Sequence, residues 1–121
     1  MFLNFTNHPS SNWSEDQKRV AEKEYGKIMD LSFPNIAPDW TWEQVKDLAE
    51  KYVEDIAGRN PKAVLCQGEF TFAYQVIKRL KEKGILVVAA TSERCVVEEF
   101  DPEKAATIKK TCFKFVRFRE Y

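Results

Sequence analysis

The run AVLCQGEFTFAYQVIKRLKEKGILVVAA, Ala63 to Ala90, begins and ends in short segments that are apolar at every position. Such segments fit central parallel strands, buried on both faces, and an edge strand would alternate instead. Between them Phe72, Tyr74, Val76, Ile77 and Leu80 recur at helical spacing, and Gly84 supplies a C-terminal stop. The run therefore reads as a β-α-β unit with strands at Ala63–Cys66 and Ile85–Ala90 and a helix over Phe70–Lys83.

The same grammar extends upstream. Phe2–Thr6 reads as a buried strand. Ser14 with Gln17 forms a capping box, and Glu15 and Asp16 suit the positive end of a helix dipole, so a helix runs from about Glu15 to Tyr25. Lys27–Ser32 is a short second strand, and Pro34 and Pro38 hold Phe33–Trp40 in an extended loop. Thr41 with Gln44 repeats the capping box ahead of a helix whose apolar stripe is Trp42, Val45, Leu48, Ala49, Tyr52, Val53 and Ile56. Trp40 and Trp42 are candidates for core, lid or subunit contact. Downstream, Cys95–Phe100 and Thr111–Arg119 read as two strands joined by a polar connection and paired as an antiparallel hairpin. The sum is an α/β sandwich with a mainly parallel sheet and an appended C-terminal β-hairpin.

Bulk properties exclude several classes. A chain of 121 residues with 44% hydrophobic and 31% charged residues fits one globular domain, residues 1–121. No run approaches ~18 apolar residues, so no membrane span is expected, and the N-terminus has no basic flank and apolar core of a secretory signal. The expectation is a cytoplasmic protein with no membrane partner. Nineteen basic residues balance nineteen acidic ones, which argues against binding duplex DNA through bulk charge. From Asp101 to Tyr121, however, six basic residues face three acids, leaving room for a small anionic ligand. Cys66, Cys95 and Cys112 are widely spaced with no C-x-x-C pair, and read as reduced core thiols rather than metal ligands; the sequons at Asn4 and Asn12 read as chance matches.

Topology points to a site. Right-handed crossovers give a strand order of about 2-1-3-4, in which strands one and three are neighbours whose crossovers leave in opposite directions. A crevice then opens beyond their carboxyl ends, where open α/β sheets bind ligands. The loop Asn7–Trp13, which holds His8, the only histidine, and the turn Gln67-Gly68-Glu69-Phe70-Thr71 both fall there. Gly68 would let a ligand approach the backbone beside a helix N-terminus. Neither a dinucleotide fingerprint nor a P-loop is present. Glu69 can accept a hydrogen bond from a ribose hydroxyl or an adenine amine, or simply favour the helix dipole. A third polar turn, Thr91-Ser92-Glu93-Arg94, offers Arg94 to a phosphate, unless it pairs with Glu98 or Glu99. Ser10 and Ser11 lack an orienting acid for a hydrolytic triad.

Four stretches, FLNFTNH followed by SEDQ, then AVLCQGEFTFAY, AATSERCVVEEF and FKFVRFREY, resemble the small stand-alone CRISPR-associated proteins of type III systems. The resemblance covers most of the chain, is weakest across residues 33–62, and rests on the shared order of short motifs. It implies a Rossmann-like three-layer sandwich akin to the CARF sensors, and a ring nuclease. That protein would be a homodimer binding cyclic oligoadenylate, cyclic tetra-adenylate for preference, across its two-fold axis. The ring would be cut without metal or cofactor by in-line attack of a ribose 2′-OH, switching off type III signalling. Carried onto this chain, the catalytic set is His8, Arg94 and Glu69, with His8 as acid or base and Arg94 on phosphate charge. The ligand-binding set is Asn7, Ser10, Ser11, Gln67, Gly68, Phe70, Thr71 and Ser92. Thr71 and Phe72 stand where the family pattern has smaller residues. Two rivals share these residues: a non-catalytic cyclic oligoadenylate sensor or buffer, and a nucleoside-processing enzyme with Glu69 as nucleophile. A purely structural subunit draws only on the apolar FKFVRF run, which fits a dimer edge equally well.

Overall fold

The computed structural model describes residues 1–121. Its elements are β1 (Phe2–Phe5), a 3-10 turn (Ser10–Asn12), α1 (Glu15–Tyr25), β2 (Ile28–Asp30), α2 (Trp42–Gly58), β3 (Ala63–Cys66), α3 (Phe70–Glu82), β4 (Val87–Asp101) and β5 (Ala106–Glu120). They form a mixed α/β fold around one five-stranded sheet of order β2-β1-β3-β4-β5. β1 runs parallel to β2 and β3, β3 parallel to β4, and β5 returns antiparallel along β4.

Period-two alternation divides the strands between two cores. Leu3, Phe5, Val64, Cys66 and Val87 face α2 and α3, meeting Val45, Val53, Ile56, Phe72, Val76 and Leu80. Phe2, Leu65 and Val88 face α1, meeting Trp13, Ala21, Phe115 and Phe118. Both faces of β1 and β3 are therefore covered, which is why all four residues of each strand are buried. Phe5 anchors one side against Phe33, Tyr52 and Phe72; Phe2 anchors the other against Trp13, Tyr25 and Phe118. Trp40 packs at the edge of the first core, whereas Trp42 is 63% exposed, with the Lys46 ammonium over its ring.

The helix caps largely follow the sequence, although the expected box at Ser14 forms only its serine half. Ser14 accepts the Gln17 N–H, Thr41 and Gln44 complete a reciprocal capping box, and α3 stops before Gly84 at φ 76°. Thr91–Arg94 departs from expectation. It is a continuous part of β4, with only a shift in register between Thr91 and Ser92. A bulge absorbs one residue without ending the pairing, and Ser92, Glu93 and Arg94 find partners in Phe115, Lys114 and Phe113. The hairpin is correspondingly longer than its two apolar runs suggest, and its connection shorter.

The cysteines also divide. Cys66 is buried at the end of β3, where burial pushes its thiol up to about 12. Cys95 and Cys112 are not core thiols: they sit opposite each other in the hairpin, with Cα atoms 5.2 Å apart, and form a disulfide. Antiparallel pairing brings together residues that sequence spacing alone does not associate. No helix is long and apolar enough to cross a membrane.

Candidate functional site

Beyond the carboxyl ends of β1 and β3, on the α1 side of the sheet, lies a cavity of about 800 Å³. The first loop contributes Thr6, Asn7, His8, Asn12 and Trp13, and the start of α1 adds Ser14, Asp16 and Gln17. The second turn contributes Gln67 and Gly68. The far wall is the hairpin, through Ala90, Ser92, Phe113, Lys114 and Phe115.

A hydrogen-bonded network fixes the first loop. Asn4, 1% exposed in the middle of β1, donates through Nδ2 to the His8 carbonyl at 2.8 Å and to Asp30 Oδ1 at 2.9 Å. Thr6 Oγ1 accepts the His8 N–H at 3.1 Å and lies 2.9 Å from Asn4 Oδ1. Trp13 Nε1 donates to the same His8 carbonyl at 3.2 Å. Asp30 accepts from the Ser10 N–H and from its hydroxyl, the latter at 3.0 Å. The backbone of His8 is thus clamped while its side chain stays exposed at the cavity. A buried amide of this kind would be costly unless satisfied, and here every buried side-chain polar atom has a partner.

The second turn is held differently. Gln67 Oε1 accepts the Ala90 N–H at 3.0 Å, tying the end of β3 to β4 and leaving its amide protons for other partners. Gly68 has no side chain because Phe33 occupies the place of one: a Cβ there would lie 2.4 Å from Phe33 Cζ. The glycine thus admits an aromatic ring of the α2/α3 core and also lines the cavity.

Of the residues singled out from sequence, Asn7, His8, Gln67, Gly68 and Ser92 come together around this cavity. Six do not. Ser10 is spent on Asp30, and Ser11 lies exposed on the 3-10 turn, outside the lining. Phe70 is 88% exposed and, with Tyr74, Ile77 and Tyr121, borders a second groove along α3 of about 850 Å³, which meets the cavity at Gln67 and Gly68. Glu69 turns back to cap α3, accepting from the Thr71 and Phe72 N–H groups at 3.1 and 2.8 Å and from the Thr71 hydroxyl. Slight desolvation pushes this carboxyl up, but the bonds from Phe72 and Thr71 outweigh it and hold it below the usual carboxylate range. Both Glu69 oxygens are engaged at the cap, and neither Glu69 nor Thr71 lines the cavity.

Arg94 is on the ribbon face of Ser92, one alternation beyond it and directly opposite Phe113, but does not itself line the cavity. Glu98 and Glu99 pair with Lys109 and Lys110, so neither holds Arg94.

Sequence reading missed Asn12, Trp13, Asp16, Gln17, Phe113 and Lys114 as individual lining residues, and Asn4 and Asp30 as supports of the loop that holds His8 and Ser10. Signals existed for some: an asparagine inside an apolar strand, and Lys114 in the basic C-terminal stretch. That the hairpin folds over the first loop was not readable from spacing.

A model of the Uncharacterized protein MJ1673 family matches residues 1–119. The chain belongs to this family. No curated protein matches it. The match spans β1 to nearly the end of β5, so both loops and the ribbon wall of the cavity lie within the MJ1673 family region.

Proposed function

We propose that this MJ1673-family protein binds a cyclic oligoadenylate, cyclic tetra-adenylate for preference, in the cavity at the carboxyl ends of β1 and β3 and cleaves it. The observation that carries the reading is the meeting of the sole imidazole, the Gln67 amide and the Ser92 hydroxyl around one space of about 800 Å³, walled by the ribbon from Phe113 to Phe115. That volume is in the range of small-ligand sites. A ring of several nucleotides would extend beyond it, in keeping with a Rossmann-like homodimer that shares one symmetric ligand between two such cavities.

In this reading a ribose 2′-OH attacks the adjacent phosphorus in line. The 2′-O–P bond forms, the P–O5′ bond breaks, and the products carry a 2′,3′-cyclic phosphate and a 5′-OH. The hydroxyl proton leaves to the imidazole or solvent as the 5′-oxygen gains one. His8 serves as the acid or base, a role worth ~10²–10⁴ in rate. Arg94, on the ribbon face of Ser92 and opposite Phe113, stabilises phosphate charge. Asn7 and Gln67 orient the base and ribose.

Incubation with labelled cyclic tetra-adenylate, with products resolved by chromatography, tests this. Linear products ending in a cyclic phosphate are expected, and His8→Ala should slow their formation at least ~10-fold. An intact ring under single-turnover conditions removes the nuclease; absence of binding removes the whole reading. Glu69 caps α3 and does not line the cavity beside His8. That observation favours the non-catalytic sensor as the second reading, and the same experiment separates the two.

A further inference from the structure

β4 has β3 as a neighbour only at Val87 and Val88. From Ser92 outward β4 and β5 pair with each other alone, out to Asp101 opposite Ala106, and most residues of this arm are exposed, including Val96, Phe100 and Phe113. A two-stranded ribbon of this kind is marginally stable in water. Its one covalent tie is the Cys95–Cys112 disulfide, between directly opposed residues, with Cys95 half-buried and Cys112 exposed.

We propose that Cys95 and Cys112 form a reversible thiol–disulfide exchange site for low-molecular-weight thiols and disulfides of the glutathione class, and that its state sets the order of the cavity's ribbon wall. Two observations beyond the cysteines carry this. First, Lys110 and Lys114 flank Cys112 on its own strand face, one alternation to either side; Lys110 also pairs with Glu99 at 2.8 Å, and Glu93 lies opposite Lys114. Nearby ammonium groups favour the reactive thiolate and an anionic small thiol. Second, the strand bearing Cys112 continues directly into Phe113, Lys114 and Phe115, which line the cavity across from His8.

In the oxidising direction the Cys112 thiolate attacks one sulfur of oxidised glutathione and expels one glutathione thiolate. The Cys95 thiolate then attacks the Cys112 sulfur and expels the second. The two protons of the protein thiols end on the two released glutathiones, so two thiols and one small disulfide become one protein disulfide and two small thiols. Reduction is the reverse. With the bond closed, the chain between Cys95 and Cys112 is a ring of limited freedom; with it open, only the ladder and surface ion pairs hold the arm.

The test requires no cavity ligand and stands apart from the nucleotide reading. The full chain is prepared reduced with dithiothreitol and, separately, reoxidised with oxidised glutathione, each checked by intact mass. Amide hydrogen exchange is followed over residues 92–114, and the imidazole proton resonances are recorded; one histidine gives one set. Oxidation should remove two hydrogens from the monomer mass, slow exchange in the arm at least ~10-fold and move the His8 resonances. Both responses should vanish in the doubly substituted C95S/C112S chain. Failure to form the intramolecular disulfide, exchange equal in the two states, or superimposable His8 resonances each overturns the proposal.

Discussion

The sheet centre and the β4–β5 arm are built from the same kind of ladder but are stabilised by different forces. In β1 and β3 every residue is buried between helices, and aromatic rings close on both sides. In the arm nearly every side chain meets water, and cross-strand pairs such as Lys110–Glu99 and the disulfide supply what burial does not. Burial of an aromatic side chain is worth kilocalories, whereas a solvated ion pair is worth little. The centre is therefore the densely packed half of the cavity and the arm its solvated half.

The largest break in that comparison is Phe5→Ala, which empties the space between Phe33, Tyr52 and Phe72 and should cost about 3–5 kcal/mol in chemical denaturation. Next comes Gly68→Ala. Its Cβ collides with Phe33, so a loss of roughly 1–3 kcal/mol is expected from overpacking, and adding Phe33→Leu should recover part of it. Full stability in the single variant would mean that Phe33 does not pack against Gly68.

Glu69→Ala removes the α3 cap and should cost about 1 kcal/mol at neutral pH. The sign of its pH dependence follows from the direction of the shift. Glu69 is held below its ordinary value in the folded chain, so its contribution is complete above the unfolded value and is lost as pH falls through the folded one. Denaturation curves of the wild type and the variant should therefore converge on acidification below the usual carboxylate range. Smallest of all is Phe100→Ser on the arm. Phe100 is 67% exposed, and a change within about 0.5 kcal/mol is expected; a larger loss would show that something covers that face of the arm.

Much of the fold was legible because periodicity and capping are local. Ser14 with Gln17, Thr41 with Gln44, and the apolar runs at 2–6 and 63–66 each announce their own structure. The neighbourhood of His8 and Gln67 was legible too, since crossover handedness constrains strand order. Thr91–Arg94 misled because its composition is that of a turn, while its pairing is set by Phe113, Lys114 and Phe115, 19 to 23 residues from their partners. Glu69 misled for the opposite reason: a carboxylate at a helix start is a binding group or a cap, and only the bonds from Thr71 and Phe72 choose the cap.

By itself the sequence determined the helices and the first three strands, the order of the four core strands and the edge at which the polar loops emerge, because these follow from local periodicity and chirality. Only the tertiary structure decided that Asn4 and Asp30 clamp the His8 loop, that Gly68 makes room for Phe33, and that Cys95 meets Cys112 in an arm walling the cavity. Those contacts join residues distant along the chain, and their pairing is chosen by burial and hydrogen-bond satisfaction across the whole sheet.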